Sequence, residues 1–331
     1  MDERFNALDA WLAASLGGAP YRIERASTDA SFRRYFRVFL EGRTLIAMDA
    51  PPERENSRAF VHVAGLLREA GLHAPEVLRH DFDQGFLLVT DLGTTLYLAA
   101  LNEDNADRLF GDATTALARW QQASLPGVLP DYDETLLRRE MSLFPDWYIA
   151  RHLGITLTPR QAEALQGVFA RLLERNLAEK RVYVHRDFMP RNLMVCDPNP
   201  GILDFQDAVY GPVSYDVACL FRDAFVSWDE ERVLDGTIRY WEKARRASLP
   251  VPEDFGQFWM DVEWMGLQRH LKVAGIFARL AHRDGKKAYL EDTPRFIGYI
   301  RHAVARYREL APLGRLLDQL DGKSPEARYT F

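Results

Sequence analysis

Cysteine is nearly missing from this chain: Cys196 and Cys219 are the only two in 331 residues. Two thiols exclude a disulfide framework, and their spacing fits no zinc pattern. Positive charge is not in excess either. The formal net charge is −6, with no stripe of basic and aromatic residues, which excludes the electrostatic footprint of a nucleic-acid binder. A polyanionic ligand must therefore be met locally, by a few cations or a metal ion. Long apolar runs are missing too, and none approaches a membrane span. The opening MDERFNALDAWLAASLGGAP begins with acids instead of a basic leader and reads as an amphipathic helix stopped by Gly17 and Gly18. These absences describe a soluble protein of a reducing compartment, expected in the cytoplasm as a monomer, with neither nucleic acid nor membrane as partner.

What is present suffices for a sizeable core: 47% of the residues are hydrophobic and 12% aromatic. The length suggests two domains or lobes. YRIERA, FRRYFRVFL and RTLIAM, between 21 and 48, read as strands, with Glu41-Gly42 turning the second pair. Phe60, Ala64 and Leu67 share a face of a helix over 57–70 that Gly71 stops. Residues 75–78 and 86–93 add two strands. After Gly93 the pattern turns helical. Thr158-Pro159-Arg160-Gln161 is a capping box with proline at the first helical position, and from Phe221 onward the chain is again mainly helical. The expected fold class is α+β: a small sheet-rich lobe over 1–92 and a larger, mainly helical lobe over 93–331, joined by a strand acting as hinge.

The stretch VYVHRDFMPRNLMV, 182–195, carries the chemistry. Asp187 and Asn192 are five positions apart, and GILDF places Asp204 twelve further on. Phosphoryl transfer needs one carboxylate to orient a hydroxyl and accept its proton, and an amide oxygen with a second carboxylate to hold Mg²⁺ against nucleotide phosphates. Two short strands with a tight turn would bring Asn192 and Asp204 to the same end of a hairpin. The plainer alternative is a solvated loop with a capping Asp and a turn Asn, but four residue types at fixed spacing followed by LDF make that alternative improbable. The set matches the protein-kinase signature with DFQ in place of DFG.

HRDFMPRN followed by ILDFQDAVYGPVSYDVA resembles the aminoglycoside phosphotransferase and choline kinase group, small-molecule kinases with a two-lobed protein-kinase-like fold. More narrowly, STDASFRRYFRV, LIAMDAPPE, LLVTDLG, the WY of FPDWYIA and QRHLKVAGIFARL look like the anomeric kinases of N-acetylmuramate and N-acetylglucosamine. The resemblance spans about residues 20 to 300. It implies Asp187 as the base and Asn192 and Asp204 as the ligands of Mg²⁺. It also implies Thr90, Asp91 and Leu92 as backbone contacts to the adenine of ATP, and a phosphate-covering loop from Ser27 to Arg34 that includes Ser31, Arg33 and Arg34. His185 and Asp216 are implied as supports of the loop. The implied product is a sugar 1-phosphate, within cell-wall sugar recycling.

Two features depart from the kinase pattern. STDAS lacks the glycines that let backbone amides approach phosphate, and the third strand offers Met48 where a kinase places a phosphate-pairing lysine. Arg33 and Arg34 are the candidate replacements. Strand alternation sends them to opposite faces, so one of the two should matter.

For the acceptor, RREMSLFPDWYIARHLG brings together Glu140, Trp147 and Tyr148; an aromatic face suits a pyranose and a carboxylate its hydroxyls, although aromatics at this density are also what a core requires. Arg191 and Asp207 are placed by sequence for contacts with substrate or phosphate. Gln268 to Lys272, QRHLK, reads as solvated helix surface or as a source of cations for an acidic sugar. An aminoglycoside or choline acceptor, which would call for acids around a cation, and a non-catalytic pseudokinase supported only by Met48 are the competing readings.

Overall fold

The computed structural model describes residues 2–27 and 32–322, and within them the chain forms eleven α-helices and nine strands. It has a kinase-like fold, a five-stranded antiparallel sheet followed by a helix-rich remainder. The chain falls into two compact units, Met1–Trp120 with Pro190–Ala208, and Gln121–Met189 with Val209–Phe331. The lobes expected from sequence, parting at Leu92, are drawn along a different line and remain a statement about nucleotide and acceptor binding.

In the first unit, α1 (Glu3–Ser15) starts at Asp2, whose carboxylate accepts the Phe5 amide at 2.8 Å, and ends before Gly17 and Gly18, both left-handed. Strands β1 (Arg22–Ser27), β2 (Arg34–Leu40), β3 (Arg43–Asp49), β4 (Val77–Asp81) and β5 (Phe86–Thr90) make one sheet in the order β1-β2-β3-β5-β4. β2 and β3 are joined by Glu41-Gly42; Leu40 pairs with Arg43, and Gly42 takes φ +76°, the left-handed geometry of a two-residue hairpin turn. Alternation then sorts the side chains. Phe36, Val38, Leu45, Ala47, Phe86 and Leu88 form one face and bury Leu8 and Leu12 of α1. Asp49 ends β3 on that same face, fully buried. It accepts from Arg4 Nε at 3.0 Å and Arg34 Nε at 2.8 Å, because a carboxylate taken out of water needs charged partners. The helix α2 (Ser57–Glu69) has the expected bounds within a residue and buries Phe60, Ala64 and Leu67. Helices α3 (Tyr97–Ala100) and α4 (Ala106–Gln122) follow.

The second unit is built on helices: α5 (Glu134–Leu143), a π-helical stretch over Phe144–His152, α6 (Pro159–Ala178), α7 (Tyr215–Phe221), α8 (Glu230–Arg246), α9 (Phe255–Asp284), α10 (Thr293–Arg306) and α11 (Ala311–Leu320). Thr158 and Gln161 close the expected capping box of α6. Strand β6 (Arg181–Val184) pairs antiparallel with β9 (Val209–Pro212), whereas β7 (Leu193–Met194) and β8 (Gly201–Ile202) form a hairpin that belongs to the first unit.

The 30-residue α9 corrects one expectation. Gln268, Arg269, His270 and Lys272 are not solvated surface: they are 0 to 6% exposed. The reason is tertiary. Packed against α5, the π-helical stretch, α6, α7, α8 and α10, α9 has no solvent-facing side along its middle. Gly275 permits the close approach of the α5 end, since a β-carbon there would stand 2.3 Å from the Leu143 carbonyl carbon. Gly275→Ala is therefore expected to lower stability by about 2 kcal/mol through overpacking. Gly65→Ala, on α2 with nothing within 4 Å of the added carbon, should raise it by roughly 0.5–1 kcal/mol. Urea unfolding of both variants beside the parent reads the two signs.

Candidate active site

In the first unit the β7–β8 hairpin does what the spacing of its residues required. Leu193 pairs with Ile202, and the Leu203 amide donates to the Asn192 carbonyl at 2.9 Å, so Asn192 and Asp204 meet at one end with their side chains 3.4 Å apart. The hairpin is tied down by the Ile202 amide on the His73 carbonyl at 2.8 Å and by Asn199 Nδ2 on the Tyr97 hydroxyl at 2.7 Å. Phe205 rests on Phe60 of α2 with ring centres 4.8 Å apart. Asp204 itself is left-handed, φ +60°, a conformation Asp tolerates better than most residues. Gln206 Nε2 donates to its Oδ1 at 3.0 Å. An amide oxygen and a carboxylate of this kind are hard donors, the set that suits Mg²⁺ with its retained waters, so the two residues fit that ion.

Arg33 and Arg34 separate as alternation demanded. Arg34 turns to the α1 face, where Asp49 and Asp2 take its guanidinium. Arg33 goes the other way: Nη2 lies 3.7 Å from Asp204 Oδ1 and Nε lies 3.4 Å from Glu55 Oε2, with the side chain only 9% exposed. Met48 is 1% exposed, in register between Tyr35 and Leu87, and offers no charge. Glu55, just before α2, is a residue that sequence reasoning missed; its only signal was an acid at the start of a helix. Thr90 ends β5, with its amide on the Glu76 carbonyl at 3.0 Å. Asp91 spends its carboxylate on Arg37, at 2.6 and 3.1 Å, and on the Gly93 amide at 3.0 Å. Arg191 lies half-buried on the 3-10 turn Pro190–Asn192, and Asp207 follows Gln206, whose Nε2 is 3.5 Å from its Oδ2. Ser31 lies outside the described residues.

Asp187 belongs to the second unit, and the chain reaches Asn192 from it through Phe188–Arg191. Asp216, fully buried at the start of α7, accepts the backbone amides of His185 at 2.6 Å and Arg186 at 3.0 Å. Burial pushes its carboxyl up to about 7, against the pull of those two amides. His185 is buried too, and its Nδ1 accepts the Asp187 amide at 3.3 Å. Both residues thus support the loop, as expected. Arg269 donates to the Arg222 carbonyl at 3.3 Å and reaches the sulfur of Met189 at 3.6 Å.

Glu140 is placed differently from the expectation that it takes acceptor hydroxyls. Its carboxylate faces inward and already accepts four donors: the Arg186 guanidinium, Lys272 Nζ at 3.0 Å, the Tyr132 hydroxyl and Gln268 Nε2 at 3.2 Å. Trp147 is half-buried on the π-helical stretch and, with Asp146, Ala150 and Arg151, lines an open depression. Tyr148 stacks on Phe144 with ring centres 5.2 Å apart. A π-helical stretch is uncommon and concentrates at functional sites.

Burial alone would raise the Glu140 carboxyl; Lys272 and Arg186 outweigh it and hold it down at about 2. A depressed carboxyl contributes stability above its unfolded value, ordinarily near 4.5, and loses it as pH falls through the folded one. The stability difference between the parent and Glu140→Gln is accordingly expected to be largest above pH 5. It should shrink by about 3 kcal/mol toward pH 2, read from urea midpoints at a series of pH values. A difference independent of pH would contradict the ion network.

Residues 22–256 match the phosphotransferase enzyme family. The chain is 52% identical over 329 residues to a protein of Pseudomonas aeruginosa named N-acetylmuramate/N-acetylglucosamine kinase, covering 96% of this chain and 97% of that one. Among solved structures it resembles a choline kinase from Cryptosporidium parvum, with TM-score 0.65, 11% identity and coverage of 93% and 99% of the two chains. It also resembles an ADP-bound aminoglycoside phosphotransferase, with TM-score 0.60, 14% identity and coverage of 92% and 99%. These two structures bear on the fold alone. With a helical unit that presents an HRD loop, a hairpin that pairs Asn192 with Asp204, and a match over most of its length, this chain belongs to the phosphotransferase enzyme family and is a small-molecule kinase, for which ATP is the implied co-substrate.

Proposed function

We propose that this kinase transfers the γ-phosphoryl group of ATP to the anomeric hydroxyl of N-acetylmuramate and N-acetylglucosamine, giving the sugar 1-phosphate. The setting is cytoplasmic cell-wall sugar recycling. One observation carries the acceptor: the 52% identity, over nearly the whole of both chains, with a kinase named for these two sugars. The loop geometry supports the chemistry. Asp187 orients the sugar hydroxyl and takes its proton as the new oxygen–phosphorus bond forms and the bond to the β-phosphate oxygen breaks, releasing ADP. An anomeric hydroxyl is more acidic than an ordinary alcohol, so alignment of the reactants supplies most of the acceleration. Asn192 and Asp204 hold Mg²⁺, which when bound neutralises charge on the transferring phosphates. Arg33, anchored on Glu55, supplies the cation that Met48 does not. The backbone of Thr90, Asp91 and Leu92 receives adenine. Trp147, Tyr148, Arg191 and Asp207 serve the acceptor, with Trp147 offering a face to the pyranose ring.

Incubation with ATP and Mg²⁺ against N-acetylmuramate, N-acetylglucosamine, glucose, choline and kanamycin, followed by ³¹P NMR, tests the assignment. The expected product of the first two shows phosphorus coupled to an anomeric proton. Turnover with choline or kanamycin alone would replace the acceptor and keep the reaction. Asp187→Asn should lower kcat by about 10² to 10⁴-fold. Arg33→Ala should raise the KM for ATP or lower kcat by about tenfold or more. Arg34→Ala should instead lower stability, because it strips Asp49 of a charged partner. Unchanged kinetics in Arg33→Ala would remove that residue from the phosphate site.

A further inference from the structure

Arg186 stands immediately before the proposed base, and its backbone is left-handed, φ +76°. For a residue with a long side chain this conformation costs on the order of 1 kcal/mol or more, and it persists only where the surroundings over-determine it. Two acids do so here. Asp216 takes the backbone, accepting the amides of His185 and Arg186, and Glu140 takes the Arg186 guanidinium. The Arg186 side chain is mostly buried and that of Glu140 almost wholly so, a setting in which a lone carboxylate would be strongly disfavoured. Lys272 makes it tenable. Its Nζ is 3.0 Å from the same Glu140 oxygen that Arg186 approaches, and it donates to the Tyr215 hydroxyl at 3.1 Å. Tyr215 precedes Asp216 in the chain, so the acid on the side chain and the acid on the backbone belong to one connected network. Tyr132 and Gln268 occupy the other Glu140 oxygen, so both oxygens of the carboxylate are held.

We infer that Glu140, backed by Lys272, is a positioning residue for Asp187: it fixes the Arg186 side chain, and through that the direction in which the next carboxylate meets the acceptor hydroxyl. The inference rests on Asp187 being the base. A network that served stability alone would need no link to the left-handed residue beside the base. Glu263 supplies the contrast. It is another buried acid, this one on α9, accepting from Arg306 at 2.8 Å and from the Tyr307 hydroxyl, and Arg306 turns onward to Glu230 and His302.

The test compares the parent, Glu140→Gln, Lys272→Met and Glu263→Gln by steady-state kinetics in both substrates, then repeats Glu140→Gln in an Asp187→Asn background. Glu140→Gln and Lys272→Met are expected to lower kcat by about 10- to 100-fold, the usual effect of misplacing a reacting group by about 1 Å. Both KM values should stay within about twofold, and Glu263→Gln should lower the urea midpoint with kcat retained. In the Asp187→Asn background Glu140→Gln should change the residual rate by less than about twofold, since there is no base left to misplace. A sugar KM raised tenfold with kcat intact would make Glu140 an acceptor ligand and overturn the inference. Equal kcat losses in both backgrounds, or in Glu140→Gln and Glu263→Gln, would overturn it as well. If the parent turns over none of the sugars, the substrate assignment has failed separately. Amide hydrogen exchange then decides: faster exchange at Arg186 and Asp187 in Glu140→Gln but not in Glu263→Gln supports the positioning role, and unchanged exchange rejects it.

Discussion

The grip of two buried acids on the residue before Asp187 is the constraint around which the helical unit is arranged. Asp216 sits at the first turn of α7 and reaches up to two consecutive amides. Glu140 comes from α5 and reaches across to the side chain. Glu140 depends for its burial on what α9 brings to it. The middle of that helix carries Gln268 and Lys272 into the interior, and the cost of desolvating charges is offset only because donors and acceptors are matched at short range. The length of α9 and the polar character of its buried middle therefore have one explanation. A purely apolar helix would leave Glu140 without two of its four donors.

The sheet solves a second electrostatic problem by parity. Along β2 and β3, odd and even positions face different surroundings, and the chain places a cation on each side. Arg34 and Asp49 share the α1 face with the apolar cluster of Leu8, Leu12, Phe36 and Val38, where they act as an internal ion pair. Arg33 shares the other side with Glu55 and Asp204. Met48, on the third strand, is ordinary packing, buried in register between Tyr35 and Leu87.

How much of this was legible in the sequence follows from range. Local features were: the Glu41-Gly42 hairpin, the Thr158–Gln161 cap, the stop at Gly71, and the meeting of Asn192 with Asp204 at one end of a short hairpin all depend on residues within about twelve positions of one another. So did the parity argument for Arg33 and Arg34, which required nothing beyond strand alternation. What escaped depended on contacts far apart in the chain. QRHLK has the composition of a solvated helix face, and only the packing of six other helical segments around α9 removes it from water. Glu140 lies near Trp147 and Tyr148 in sequence, which suggested a shared acceptor role; its partners at 186, 268 and 272 assign it elsewhere. Glu55 gave no signal that distinguishes it from any acid at a helix start.

The Glu140, Arg186 and Lys272 cluster also bears on inheritance. One acid lies between two bases in a space too dry to tolerate an unpaired charge, so losing Glu140 alone strands two buried cations, whereas losing one base still leaves an acid–base pair. A lineage can give up the acid only by giving up the bases with it, while either base can go first. Position 140 is thus expected to change only after or together with 186 and 272, even though 272 lies 132 positions further along the chain.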